Sequence, residues 1–270
     1  TPSKFHYIFN LRDLSRVYEG LWLTTVDKFP TVESLVRVWR SECLRVFHDR
    51  LTNATDKAWV QDEIGKLVAE SFGDMKEGVM RDPILFGDFR DINSETEVVR
   101  VFEDLGSYAD VKPIFEETLD NYNSTRKPMN LVMFDDALEH LTRIERIITR
   151  PRGNALLVGV GGSGKQSLTK LATFAAGYHL FEITITRSYG DTEFREDLKK
   201  LYQMLGAENK QVVFLFTDAH VVEEGFLELI NNMLTTGMVP ALYTEEEKDA
   251  MSNSVSAEAA ARGVVPSKEN

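Results

Sequence analysis

The chain has 270 residues, 43% of them hydrophobic and 27% charged, with a formal net charge of −12 at pH 7. That length supports one large or two small cored domains, and the acidity, with no local run of lysines and arginines, argues against nucleic acid or an anionic membrane as a partner. Cys43 is the only cysteine, which excludes an intrachain disulfide and a thiolate metal cluster, and no apolar span of about 18 residues suggests a membrane helix. A chain beginning at Thr1 without methionine is expected to be a piece of a longer protein.

In chain order, Asn10 is placed to cap a helix carrying Leu11, Leu14 and Val17 and ending near Gly20. Thr31 then caps a longer helix with Leu35, Trp39, Val46, Phe47 and Leu51, and a third is expected from Asp56 with Val60, Ile64, Leu67, Val68 and Phe72 on one face. These stripes make residues 1–72 a small helical bundle. Gly73, Gly78, Pro83, Gly87 and Gly106 break the pattern, so 73–110 is expected to be an irregular connection holding the domain boundary. Residues 111–270 form the second domain. It opens with a short helix around Phe115, Leu119 and Tyr122 and a longer one from Phe134 to Ile148, whose Arg143 and Arg146, with Arg150 and Arg152 beyond it, read as a solvated face.

The most informative stretch follows. Ala155-Leu156-Leu157-Val158 has the length and apolarity of a buried parallel strand, and Gln166–Ala176 reads as a helix stopped by Gly177. Between them lies Gly159-Val160-Gly161-Gly162-Ser163-Gly164-Lys165, the form of a phosphate-binding loop. Glycines let backbone N–H groups turn inward around a phosphate, Lys165 adds a point charge, and the helix N-terminus favours an anion. Gly159 through Ser167 are therefore the candidate nucleotide-binding residues. Gln166 stands where serine or threonine usually supplies a hydroxyl to Mg²⁺, and its longer amide weakens that coordination.

Leu180–Ile185 is the next strand candidate, Thr192–Leu205 a helix, and Val212–Phe216 a further apolar strand. The alternation argues for an α/β fold, a parallel sheet flanked by helices. Asp218, at the end of the Val212–Phe216 run, has the position of a Walker B carboxylate and is the candidate metal ligand. A water-activating glutamate usually follows it, and here the residue is Ala219, so no catalytic residue is assigned. Glu223 and Glu224 are candidates to replace it, although they also read as first-turn residues of a helix. From Thr244 onward the chain is polar, alanine-rich and weakly patterned, which suggests partial disorder.

Phe9–Arg16, Pro151–Ser167 and Phe214–Ala219 together resemble the dynein heavy chain, and Gly-Val-Gly-Gly-Ser-Gly-Lys-Gln-Ser resembles the fourth AAA+ module of axonemal dyneins. The resemblance implies a P-loop AAA+ α/β fold, with residues 1–72 as the lid of the third module and 111–270 as most of the large subdomain of the fourth. It implies Arg12 as a sensor-two arginine and Leu131-Val132-Met133-Phe134 as the adenine-contacting segment. It further implies ATP or ADP as a mainly structural or regulatory ligand, with neighbouring AAA+ modules and other dynein chains as partners. Microtubules would be bound only through parts lying outside this segment, and the location would be cytoplasmic, in the axoneme of a cilium or flagellum. Two alternatives stay open: a free-standing P-loop NTPase or kinase, and a structural AAA+ module whose nucleotide site has decayed. Asn209-Lys210-Gln211-Val212 lacks the aspartate of a guanine-reading motif, and a kinase would be expected to keep the hydroxyl after Lys165.

Overall fold

A computed structural model describes Lys4, residues 7–94 and residues 99–261, with side chains as far as Asn253. Packing divides the chain into two compact units, Thr1–Thr149 and Arg150–Asn270.

The first unit opens with α1 (Leu11–Trp22), where Asn10 closes a capping box with Asp13. Next comes α2 (Val32–Cys43), capped by Thr31, and one π-helical segment, Leu44–His48, carries it onward. Both caps are those read from the sequence. The third helix, α3 (Ala54–Ser71), starts two residues before Asp56, because Asn53 is the cap and Asp56 supplies the N–H that Asn53 Oδ1 accepts at 2.8 Å. Val17, Val36, Leu44, Val46, Ile64 and Val68 form the core between these helices.

Residues 73–110, expected to be an irregular connection, belong to this unit. They contain the short helix α4 (Lys76–Met80) and an antiparallel ribbon of β1 (Phe86–Gly87) and β2 (Glu103–Asp104), with Phe86 opposite Asp104. Val79, Leu85, Phe86, Phe89 and Leu105 are buried. Two buried arginines of α2 tie the segment down. Arg37 reaches Asp104 Oδ2 at 2.7 Å and the Pro83 carbonyl at 2.7 Å, and Arg40 reaches Asp82 Oδ1 at 2.7 Å and the Val79 carbonyl at 3.2 Å. The packing boundary therefore falls at Thr149–Arg150, beyond the glycine-rich stretch.

The unit ends with α5 (Tyr108–Thr125) and α6 (Asp135–Ile148). Arg146 of α6, read from sequence as a solvated residue, is 9% exposed. Its Nη2 bonds Glu42 Oε1 at 2.8 Å and the Gly20 carbonyl at 3.1 Å, and its guanidinium lies 3.6 Å from the centre of the Phe102 ring. Glu42, 2% exposed, also holds Arg45 at 2.6 Å. One buried carboxylate thus joins two guanidiniums, and its position requires a glycine opposite. A Cβ on Gly20 would stand 2.3 Å from the Glu42 carboxyl carbon.

The second unit holds α7 (Lys165–Ala175), β3 (His179–Phe181), α8 (Asp191–Gly206), β4 (Val212–Phe214), α9 (Gly225–Thr236) and α10 (Glu245–Ala261). β3 and β4 pair in parallel, with Leu180 beside Val213, and the ladder extends through Leu215 N–H to the Phe181 carbonyl at 2.9 Å. Phe194, Leu198, Leu201, Phe226 and Leu229 bury α8 and α9 against this pair. Two expectations are corrected here. Ala155–Val158 pairs with no strand among the described residues, and Leu156 and Val158 are 88% and 86% exposed. The apolar run has no hydrogen-bonded neighbour to make it a buried strand. The stretch after Thr244 is helical to Ala261, because Glu245–Glu247 favour a helix N-terminus and the alanines favour its continuation. Residues 262–270 lie outside the described residues.

Candidate nucleotide site

The glycine loop has the backbone its sequence requires. Gly162 and Gly164 take φ of +77° and +80°, left-handed values that a side chain would strain, and Gly164 stands as the N-cap of α7 without a side-chain cap. A Cβ at Gly161 or Gly162 would meet no atom within 4 Å, so both glycines face open space and leave their backbone accessible to a ligand. Lys165 folds back over the loop, its Nζ donating to the Gly159 carbonyl at 2.8 Å, the Val160 carbonyl at 2.7 Å and Ser163 Oγ at 3.2 Å. Gly159–Ser163 and Gln166 are exposed, and Gly164, Lys165 and Ser167 are half-buried. The loop, its lysine and the first N–H groups of α7 fit a polyphosphate.

Asp218 opens a 3-10 turn, Asp218–His220, just past the carboxyl end of β4. It is exposed, and its carboxylate makes no hydrogen bond or ion pair among the described residues. An uncommitted carboxylate suits Mg²⁺, which takes oxygen ligands and keeps several waters beside substrate phosphates. Gln166 offers an exposed amide in the first turn of α7. No hydrogen bond or ion pair joins Asp218 to residues 159–167 among the described residues.

The turn also contains a residue the sequence reading left without a role. Thr217 N–H donates to His220 Nδ1 at 3.1 Å, and the imidazole lies 5.7 Å from the Phe216 ring. Burial lowers the His220 pKa from its ordinary value, with Glu182 and Asp218 opposing and Lys170 reinforcing the shift. Lys170, on the loop's own helix, bonds Glu182 at 3.0 Å just past β3. The ion pair ties α7 to the end of β3, and the His220 turn lies past the end of β4. The signal for it was the Thr217-x-x-His220 spacing of a side-chain cap.

Glu223 and Glu224 are placed at the start of α9, with Glu224 as its N-cap. Glu223 also stands beside α8, since a Cβ on Gly190 would come within 3.2 Å of its Oε1. In the first unit, Arg12 is exposed, with no side-chain partner among the described residues, on the first turn of α1. Met133 is buried and Leu131 half-buried, whereas Val132 and Phe134 are exposed ahead of α6.

A glycine loop closed by a lysine at a helix N-terminus, followed by parallel strands ending in a carboxylate, defines a P-loop α/β module of the AAA+ type. The comparisons narrow this class. A family model described as P-loop containing dynein motor region D4 matches residues 129–270, and one described as AAA+ lid domain matches residues 1–82. Human dynein axonemal heavy chain 10 is 62% identical over 270 residues, covering 100% of this chain and 6% of the relative. The dynein-1-alpha heavy chain of the flagellar inner arm I1 complex of Chlamydomonas reinhardtii is 58% identical over 276 residues, again covering 100% and 6%. The dynein beta chain of the flagellar outer arm of the same alga is 42% identical, with coverage of 99% and 6%. The chain belongs to the dynein heavy chain motor-region family. It spans about 6% of the length of these curated relatives.

Proposed function

We propose that this chain is a motor-ring segment of an axonemal dynein heavy chain and that its P-loop binds ATP or ADP as a structural or regulatory ligand with little or no turnover. The observation that carries the reading is the loop itself: left-handed Gly162 and Gly164, exposed backbone at Gly161 and Gly162, and Lys165 over the loop. Gly159–Ser167 would hold the phosphates through backbone N–H groups and the Lys165 ammonium. Asp218 would hold Mg²⁺, which when bound neutralises phosphate charge. Gln166 offers that ion a longer ligand than a hydroxyl, and Ala219 cannot orient a water, so binding is retained and hydrolysis is not.

Residues 1–72 would then serve as the lid of the preceding module and 111–270 as the large subdomain of this one, joined through 73–110. The lid-model match to 1–82 and the motor-region match to 129–270 support this division. The neighbouring AAA+ modules of the same heavy chain are the direct partners. Microtubules and other dynein chains engage the parent molecule elsewhere, and the setting is the axoneme of a cilium or flagellum, as the names of the relatives suggest.

Calorimetry with ATP, ADP and GTP tests the binding, with adenine nucleotides expected to be preferred. Turnover is tested in a complete motor ring whose other nucleotide sites are disabled. No measurable hydrolysis is expected from this site, with partial recovery only when Gln166→Thr and Ala219→Glu are combined. Brisk hydrolysis by the unaltered site, lost on Lys165→Ala, would overturn the regulatory reading and mean that Glu223, Glu224 or Ser167 has taken over the chemistry.

A further inference from the structure

The turn bearing Asp218 is shaped by one side chain. A 3-10 turn of three residues supplies little holding force of its own. Here Thr217, whose N–H would otherwise lack a partner, donates to His220 Nδ1 at 3.1 Å, and the ring is seated against Phe216. A neutral imidazole that accepts at Nδ1 carries its proton on Nε2, so the bond also sets the tautomer. Ala219, between the two functional residues, contributes only a methyl group. The Lys170–Glu182 ion pair joins α7, the helix that begins at Lys165, to the chain just past β3.

We infer that His220 is a positioning residue for metal-dependent nucleotide binding: its bond to the Thr217 N–H holds the turn so that the Asp218 carboxylate is presented in one orientation past the end of β4. The inference rests on the reading of Asp218 as the Mg²⁺ ligand and assigns His220 no contact with nucleotide or metal. Groups that orient a metal ligand commonly contribute about 10–100-fold in metal affinity. An exposed carboxylate with no hydrogen-bond partner depends all the more on its backbone for orientation.

The test is calorimetry on the 270-residue chain with ATP in EDTA and with ATP plus Mg²⁺, the readout being the ratio of the two affinities. His220→Leu and Asp218→Asn should each lower that ratio by about tenfold or more, while affinity in EDTA stays unchanged. The two changes combined should lose no more than Asp218→Asn alone. His220→Asn, whose Oδ1 can accept the same N–H, should restore most of the ratio. His220→Gln, with its acceptor displaced, serves in place of leucine if that variant melts early. Long-range nitrogen–proton spectra of the parent should show His220 protonated on Nε2. The inference is overturned if His220→Leu keeps the ratio that Asp218→Asn loses, if His220→Asn fails to rescue while melting as the parent does, or if His220→Leu weakens binding equally with and without Mg²⁺. An unaltered chain with no gain from Mg²⁺ overturns it too, and leaves the P-loop reading standing. That reading fails by a separate route, equal affinity of parent and Lys165→Ala in EDTA.

Discussion

Charge is used in opposite ways in the two units. In the first, Arg37, Arg40, Glu42 and Arg146 are buried, and each meets an opposite charge or carbonyls at hydrogen-bonding distance. In the second, the groups that matter are accessible: Asp218 is exposed with no side-chain partner among the described residues, and Lys165 is satisfied only by the loop it would share with a phosphate. The difference teaches how to read charged residues in such a chain. A buried charge with a complete set of partners holds helices together, and its removal leaves the remaining charge stranded. An exposed charge on a glycine-shaped loop contributes little to the fold and is free to act on a ligand.

The largest expected effect tests the first half of that contrast. Glu42→Ala leaves Arg45 and Arg146 without their shared carboxylate, and chemical denaturation should show a loss of about 3–5 kcal/mol. A loss below about 1 kcal/mol would mean the network is ornamental to folding. The second half is tested by Lys165→Ala, which should weaken ATP binding at least about a hundredfold, about 2.7 kcal/mol, without moving the melting temperature. A falling melting temperature would show that the lysine holds the fold.

A smaller effect concerns a buried acid that faces a second carboxylate. Glu145 of α6 is 3% exposed, and burial first, then the nearby Asp88 carboxylate, raises its pKa to about 8, against the pull of Arg100 and Arg146. The protonated Glu145 shares a hydrogen bond with Asp88, whose Oδ2 lies 3.4 Å from Arg100 Nε. The folded state keeps the Glu145 proton to higher pH than the unfolded chain does. Its contribution is therefore complete below the ordinary carboxylate range and is lost as pH rises toward 8. Glu145→Gln should flatten that part of the pH profile and exceed the parent by about 1–2 kcal/mol in mildly alkaline solution. A variant with an unchanged pH slope would remove Glu145 from the account. The smallest effect is at the edge of the same unit: Asn10→Ala, which removes the α1 cap, should cost about 1 kcal/mol and leave nucleotide binding as it was.

What the sequence revealed follows the range of the interactions involved. Asn10 and Thr31 act within three residues of themselves, so their caps could be read directly. The left-handed backbone of the glycine loop could be read for the same reason, since it lies within one short segment. Arg146 could not, because a guanidinium on a helix looks the same whether it faces water or a glutamate far away in the chain. The anchoring of segment 73–110 was hidden similarly: its glycines are local, whereas Arg37 and Arg40, which hold it, come from a distant helix. At Ala155–Val158 the composition suggested a strand that the structure does not form, because pairing depends on a neighbour that composition does not contain. His220 lay between these cases, a local cap whose partner was the backbone N–H three residues earlier.

Gly20 gives the buried network an evolutionary dimension. With Glu42 in place, even an alanine at position 20 would overlap the carboxyl group at 2.3 Å. Without Glu42, the same alanine would be an ordinary improvement to a helix. The order of change therefore matters: position 20 is closed to any side chain until position 42 has shrunk, and position 42 cannot shrink harmlessly while Arg45 and Arg146 remain. Four residues on three segments of chain are thus bound to a shared history, and a lineage that departs at one of them should be found to have departed at the others.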